Sequence, residues 1–208
     1  MKKIILLLAI ILIASCSPKL FKEKWTEQQA PETFKARFET TQGNFDIISK
    51  REWSPEGVDR LYQLIKNEFY TDMAVFRVVP NYVAQFGIHD NSIVNKGWNG
   101  IGVKDEEVLI SNTKGTMAFA RSTKNTRTTQ IFVNLKDNKR LDKLEYSGVK
   151  GFPVVANITS GMENVLKFYD KHGDKLGMKQ DSIQVRGNKF LRKNYPKIDY
   201  IIKAYIIK

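Results

Sequence analysis

The sequence predicts a mainly β protein: a closed eight-stranded antiparallel barrel capped by two α-helices. Three observations favour this fold class. Short β-forming runs recur along the chain, turns connect most of them, and only two segments begin with a helix-start signal. The chain has neither an internal repeat nor a change of composition, and its 42% hydrophobic content suits one globular core. The strand count alone also fits a β-sandwich.

The strand predictions rest on alternation and on turn signals. Residues 34–39 alternate apolar with charged side chains, and Phe45 and Ile47 continue this pattern after Gln42-Gly43, which indicates a hairpin. Further strands are predicted at 76–79, 82–87, 115–120, 129–135, 151–158, 181–185 and 198–207. The polar, Gly-containing stretch 89–112 is expected to form long loops.

Two segments are predicted to begin helices. Ser54-Pro55-Glu56 provides an N-cap candidate, a proline in the first turn and an acid near the positive end of the helix dipole. Residues 160–163 read Ser-Gly-Met-Glu, which is a capping-box pattern. We expect these helices to close the two ends of the barrel.

The N-terminal residues have the features of an export signal. Lys2 and Lys3 precede the apolar run 4–13, which is about half of the roughly 20 residues that a membrane span needs. Residues 12–16, Leu-Ile-Ala-Ser-Cys, resemble the lipobox of bacterial lipoproteins, which implies lipidation of Cys16. We therefore predict a lipoprotein signal peptide at 1–15, a polar tether at 16–33 and a single domain at 34–208. The alternative is an ordinary leader followed by an incidental cysteine.

The net charge and the cysteine content limit the classes of binding partner and the possible disulfides. The formal net charge of +12 suits nucleic acid or an anionic membrane surface, and the predicted lipid anchor favours the membrane and argues against nucleic acid. Cys16 is the only cysteine, so no intramolecular disulfide can form. In bacterial lipoproteins, which this leader resembles, an Asp directly after the lipidated cysteine is an inner-membrane sorting signal, and this chain has Ser17 there instead. We therefore expect a bacterial cell-envelope protein on the outer membrane, facing the periplasm.

One cation stands inside an otherwise apolar run. Arg77 lies in Val-Phe-Arg-Val-Val-Pro at 75–80, and Gln85 and Gln130 are embedded among β-forming residues in two later segments. Desolvating an unpaired charge costs several kcal/mol or more, so a buried arginine needs a partner that compensates its charge. We therefore expect Arg77 to have a functional role. The alternative is a surface arginine at a strand edge, with its stem packed on the sheet.

These segments resemble the signature of the cyclophilin family of peptidyl-prolyl isomerases. The matching stretches are residues 75–80, Gln85-Phe86-Gly87 and Thr129-Gln130-Ile131-Phe132, and the resemblance spans roughly Phe34 to the C-terminus. It implies that Arg77 is the catalytic arginine and that Gln85 orients it. It also implies a substrate-binding site, made of Tyr82, Val83, Ala120, Gln130, Phe132, Leu141 and Phe152. The implied substrates are proline-containing polypeptides, and we expect a monomer.

The chain departs from the family pattern at several positions. Phe76 and Phe152 replace histidines, Arg140 stands where cyclosporin-sensitive members have tryptophan, and Arg121 stands where asparagine is common. We therefore expect weak cyclosporin binding and a preference for acidic peptides. The alternative functions are a proline-peptide binding module with little turnover and a cationic structural lipoprotein.

Other chemistries have little support in the sequence. His89 and His172 lie far apart in loop-like segments and, with one cysteine, do not form a usual zinc set. The acidic run Asp105-Glu106-Glu107 is predicted to be a solvated loop. We expect neither a metal nor a cofactor, because isomerisation requires no covalent chemistry.

Overall fold

The computed structural model describes residues 19–208. The predicted signal peptide at 1–15 and the predicted lipidation site Cys16 lie outside the described residues. Within this part of the chain, none of the helices is both long and apolar enough to cross a bilayer.

Eight strands close into an antiparallel barrel, which confirms the predicted fold class and excludes the sandwich. The barrel strands are β1 Thr33–Thr40, β2 Phe45–Lys50, β3 Met73–Val79, β4 Val83–Phe86, β5 Thr116–Phe119, β6 Ile131–Asn134, β9 Val154–Ser160 and β10 Tyr200–Ile207. Their order around the barrel is β1-β10-β3-β4-β6-β5-β9-β2, and each neighbouring pair is antiparallel. A separate small hairpin consists of β7 Glu145–Tyr146 and β8 Val149–Lys150.

The alternation predicted for β1 and β2 builds the barrel interior. Phe34, Ala36 and Phe38 are buried, and Phe45 and Ile47 join them from β2. Phe38 and Phe45 stack with ring centroids 4.8 Å apart. Full burial of each such side chain contributes roughly 1.5–3 kcal/mol, which makes this register strongly preferred over a one-residue slip.

The number of helices differs from the prediction of two. Residues 19–208 contain α1 Pro55–Lys66, α2 Ser92–Asn99, α3 Met162–Val165, α4 Gly173–Gly177 and α5 Gln180–Asn194. The strand predicted at 181–185 is wrong, since these residues belong to α5. The loops predicted at 89–112 contain α2, whose N-cap Asn91 accepts hydrogen bonds from two backbone N–H groups. Helix α2 covers only eight residues, and α5 contains Gly187 in a non-helical conformation, so sequence pattern identifies both helices poorly.

Helix α1 begins where it was predicted, but its N-terminus is capped from another segment. Glu106 accepts hydrogen bonds from the backbone N–H groups of Glu56 at 2.8 Å and Gly57 at 3.1 Å. The same carboxylate accepts from the Ser54 hydroxyl and pairs with the buried Arg127 guanidinium at 2.8 Å. The acidic run is therefore not merely a solvated loop, because Glu106 ties the α1 N-terminus to the rest of the domain.

The capping box predicted at 160–163 does not form. Ser160 is still in β9, and Gly161 adopts φ +81°, a left-handed conformation that favours glycine. The helix that follows, α3, covers four residues. Val165 from α3 and Leu61 from α1 nevertheless belong to the same apolar core as the barrel interior.

The segment predicted as a tether packs against the domain over most of its described length. Phe21 and Trp25 contact Trp98 of α2, with ring centroids 5.1 and 6.2 Å apart. The backbone N–H of Ala30 donates to Asp59 of α1 at 2.8 Å. Polar composition suggested a free linker, whereas a few aromatic side chains are enough to dock it.

Candidate active site

A β-bulge in β3 directs Arg77 to the outside of the barrel. The register with β4 shifts between Val75 and Arg77, which leaves Phe76 as the extra residue. Val75 and Val78 belong to the interior core, whereas Phe76 packs in a second cluster with Ile183 and Leu191 of α5. Strict alternation from Val75 would turn Arg77 inward, so the bulge makes the site possible.

Arg77 and Gln85 are cross-strand partners and are hydrogen bonded. Arg77 Nη1 donates to Gln85 Oε1 at 3.1 Å. Gln85 Nε2 in turn donates to Gln130 Oε1 at 2.8 Å, and Gln130 Nε2 donates to Gln180 Oε1 at 2.8 Å. Gln85 and Gln130 each use the side-chain oxygen as acceptor and the side-chain nitrogen as donor. This chain of bonds fixes the orientation of Gln85, which then presents an oxygen to the guanidinium.

An apolar cavity of about 450 Å³ lies beside this guanidinium. Val83, Ala118, Phe132 and Leu141 form a separate apolar cluster outside the barrel interior. The Phe152 ring meets Phe132 edge to face at 5.7 Å. The residues that line the cavity are Arg77, Tyr82, Val83, Gln85, Ala120, Arg121, Ser122, Phe132, Leu141, Leu144, Tyr146 and Phe152.

The structure brings the predicted site residues together. Eight of the nine residues predicted for catalysis and substrate binding line this cavity. The ninth, Gln130, lines an adjoining polar cavity of about 340 Å³ that shares Gln85, Ala120, Arg121 and Ser122 with the first. Their roles in catalysis and binding stay predictions, since the structure contains no substrate.

Arg121 anchors the wall of the cavity. Its guanidinium donates to the carbonyl oxygens of Tyr146 at 3.1 Å, Val149 at 2.8 Å and Gly151 at 2.8 Å. It also stacks on the Phe152 ring at 4.5 Å. Burial lowers the pKa of the Arg121 guanidinium from its usual value. The sequence suggested a free charge for acidic peptides, whereas three of its donors are occupied by the β7–β8 hairpin.

Sequence reasoning missed several residues at this site, including Ser122 in the cavity wall and Gln180 in the chain of amides. Leu144 and Tyr146 line the cavity from the β7–β8 hairpin, although both are exposed. Asp174, in α4, accepts a hydrogen bond from Arg77 Nε at 2.6 Å. Asp174 lies 97 positions after Arg77, and no local pattern in the sequence connects the two.

The site contains no cluster of metal ligands. Among residues 19–208, no group of three or more His, Cys, Asp or Glu side chains is arranged to hold a metal ion. Arg77 and the nearby amides are hydrogen-bond donors and acceptors. This arrangement can bind an amide substrate through hydrogen bonds without covalent chemistry.

Comparison with known proteins agrees with this geometry. The family model for cyclophilin type peptidyl-prolyl cis-trans isomerase/CLD matches residues 35–187. Because the match covers well over half of the chain and includes the site, the chain belongs to the cyclophilin-type peptidyl-prolyl cis-trans isomerase family and is an enzyme of that class.

Individual relatives support the assignment. A peptidyl-prolyl cis-trans isomerase of Acinetobacter baylyi is 29% identical over 144 residues, which cover 68% of this chain and 75% of that protein. Peptidyl-prolyl cis-trans isomerase B of Escherichia coli is 28% identical over 149 residues, with coverage of 69% and 89%. A cyclophilin type isomerase of Cryptosporidium parvum superposes with a TM-score of 0.62 at 15% identity, covering 85% of this chain and 98% of that one, so it shows the fold alone. The same Cryptosporidium protein was also solved in the presence of the dipeptide Ala-Pro.

Proposed function

We propose that this isomerase accelerates rotation about X-Pro bonds of exported proteins, with Arg77 as the catalytic residue and Gln85 as its positioning partner. The observation that carries the proposal is the guanidinium of Arg77, bonded to Gln85 at 3.1 Å, at the wall of an apolar cavity that also includes Phe132.

The physical requirement is a donor that binds the twisted amide better than the planar one. Rotation about a peptide bond has a barrier of roughly 18–20 kcal/mol because resonance gives the C–N bond double-bond character. Twisting removes the resonance and localises a lone pair on the prolyl nitrogen. A fixed, permanently protonated guanidinium can donate to that lone pair only in the twisted state, and this preference lowers the barrier.

The cavity provides the binding energy for the proline. Its volume of about 450 Å³ exceeds what a single proline ring requires, so neighbouring backbone is accommodated as well. Phe132, Leu141 and Phe152 supply apolar contacts for the ring, while Ala120 and Gln130 are positioned for the substrate backbone. No cofactor is needed, because no group is transferred.

The experiment compares Arg77→Ala with Arg77→Lys in a protease-coupled proline-peptide assay. We expect Arg77→Ala to lower kcat/KM by about 10²-fold or more, and Arg77→Lys to recover little because lysine lacks the planar fork. The control is Arg186→Ala, an exposed arginine on α5. Unchanged turnover in Arg77→Ala would refute the role of Arg77. Peptide binding by the wild type without rate acceleration would instead select the binding module.

We further propose that the protein is a monomeric lipoprotein attached through Cys16 to the outer membrane of a bacterial cell envelope, facing the periplasm. The support is the basic and apolar leader with its lipobox-like ending. Each buried acyl methylene contributes about 0.8 kcal/mol, and multiple acylation of the cysteine gives durable attachment. Cys16→Ser is expected to abolish labelling by radioactive palmitate and release the protein from the membrane fraction. Retention of label would place the acyl group elsewhere.

A further inference from the structure

Arg77 is contacted by a second element besides the β3–β4 pair. Helix α4 lies against β3, and Asp174 Oδ1 accepts from Arg77 Nε at 2.6 Å. A Cβ added to Gly177 would come within 2.9 Å of Arg77 Cδ, so α4 also closely approaches the aliphatic stem. Asp174 and Gly177 therefore confine the arginine along its length.

We propose that Asp174 is a positioning residue that sets the plane of the Arg77 guanidinium for catalysis. This inference rests on the proposed catalytic role of Arg77. Asp174 holds Nε while Gln85 holds Nη1, so the two contacts lie on different edges of one rigid planar group. A single contact leaves the plane free to rotate about that bond, whereas two contacts define it.

The remaining nitrogen is left for the substrate. Within residues 19–208, neither Asp174 nor Gln85 engages Nη2, and the Arg77 side chain retains 24% exposure. The Tyr82 ring centroid lies 5.8 Å from the guanidinium carbon on the cavity side. The hydrogens of Nη2 are therefore not used by these two contacts, on a guanidinium that lines the cavity together with Tyr82 and Phe132.

Orientation, rather than fold stability, is the effect expected of Asp174. The Asp174 side chain is 60% exposed, and exposed ion pairs contribute little to the stability of a fold. A negative charge beside the catalytic cation also weakens the field of that cation, so charge alone gives no catalytic benefit. The hydrogen bond from Nε remains as the useful contact, and an amide oxygen can replace a carboxylate oxygen in that role.

Helix α4 is itself fixed in place. His172, just before α4, lies between the rings of Tyr169 and Tyr195 with centroids 5.1 and 5.0 Å away. Gln180, at the start of α5, bonds Gln130 at the other end of the site. Residues 172–180 thus contact both Arg77 and the amide chain that orients Gln85.

The test uses Asp174→Ala and Asp174→Asn in the full chain, with Asp170→Ala as the control. Asp170 pairs with the exposed Lys171 at 3.0 Å and does not contact Arg77. We expect Asp174→Ala to lower kcat by about fivefold with KM changed less than about twofold, because a misaligned donor loses transition-state binding only. Asp174→Asn is expected to restore most of kcat, and Asp170→Ala to leave it unchanged.

A second readout reports the geometry directly. The NMR signal of the Arg77 Nε–H group is expected downfield and slowly exchanging in the wild type and Asp174→Asn, and shifted with fast exchange in Asp174→Ala. Wild-type kcat in Asp174→Ala, or equal losses in Ala and Asn variants, would overturn the inference. These outcomes differ from a failure of the proposed function, which would appear as unchanged activity in Arg77→Ala.

Discussion

Arg77 illustrates how one residue acquires its role from its surroundings. Alternation along β3 does not place it outside the barrel, but the bulge at Phe76 does. Gln85, its cross-strand partner, then meets the guanidinium through its amide oxygen. The residue type was visible in the sequence, and its direction was not.

Replacing Gln85 with leucine tests the orienting bond with little change in volume. Gln85→Leu removes the acceptor for Arg77 and the donor for Gln130, so we expect kcat/KM to fall about tenfold. The unpaired amide of Gln130 is expected to cost about 1 kcal/mol of unfolding free energy. Urea unfolding and the isomerisation assay measure the two effects. Gln29→Leu, at an exposed position, provides a control, and equal activity in both variants would contradict the prediction.

At the scale of elements, the N-terminus of α1 depends on a distant loop. Glu106 supplies the acceptor for two backbone N–H groups and the only carboxylate paired with Arg127 among the described salt bridges. The Arg127 side chain is 1% exposed and that of Glu106 is 15% exposed. Loss of this carboxylate leaves a buried cation without its partner.

Glu106→Gln is therefore expected to destabilise the fold by about 3 kcal/mol, because breaking a buried pair leaves an uncompensated charge. The neighbouring Glu107 is exposed and provides the matched control Glu107→Gln, which is expected to change stability by less than about 0.5 kcal/mol. Urea unfolding of the two variants gives the comparison. Similar midpoints for both would show that Arg127 is satisfied without Glu106.

For the whole molecule, stability is expected to depend on pH through a buried histidine. Burial lowers the pKa of His89 below its usual 6.5, so the folded state holds it neutral while the unfolded chain binds a proton. Unfolding thus gains a proton at mildly acid pH, and stability falls as the pH decreases below about 6.5. His89→Asn removes this titration while keeping an acceptor near the Nδ1 position that receives the Asn91 N–H.

Urea unfolding at about pH 7.5 and about pH 5.5 tests this expectation, and the stability difference between the two conditions should shrink in His89→Asn. An identical pH slope in the wild type and His89→Asn would exclude His89 as the cause.

A separate loss of stability is expected at lower pH. The hydrogen bond from Arg37 lowers the pKa of Asp46 below 3.8. The stabilisation from this carboxylate is therefore present above pH 3.8 and is lost as the pH falls through the folded-state pKa.

The sequence by itself determined a mainly β domain and, through the family signature, most of the residues around the cavity. Two-residue alternation in β1 and β2 fixes which side chains face the core, and the signature around Arg77, Gln85 and Phe132 fixes the likeness to the family. Both are local patterns, and local patterns are what sequence reading detects. Helix α2 was missed because it covers only eight residues, and α5 was missed because Gly187 interrupts its helical pattern with a non-helical conformation.

Only the tertiary structure decided what contacts Arg77 from afar and what Arg121 does. Asp174 contacts Arg77 from 97 positions away in the sequence because α4 packs on β3. Arg121 donates hydrogen bonds to backbone carbonyl oxygens of the β7–β8 hairpin and of Gly151 beside it, at the wall of the cavity. The physical reason is that such contacts depend on how elements meet in space. A side chain's sequence neighbours set its element and face, but its hydrogen-bond partners come from whichever segment packs beside that face.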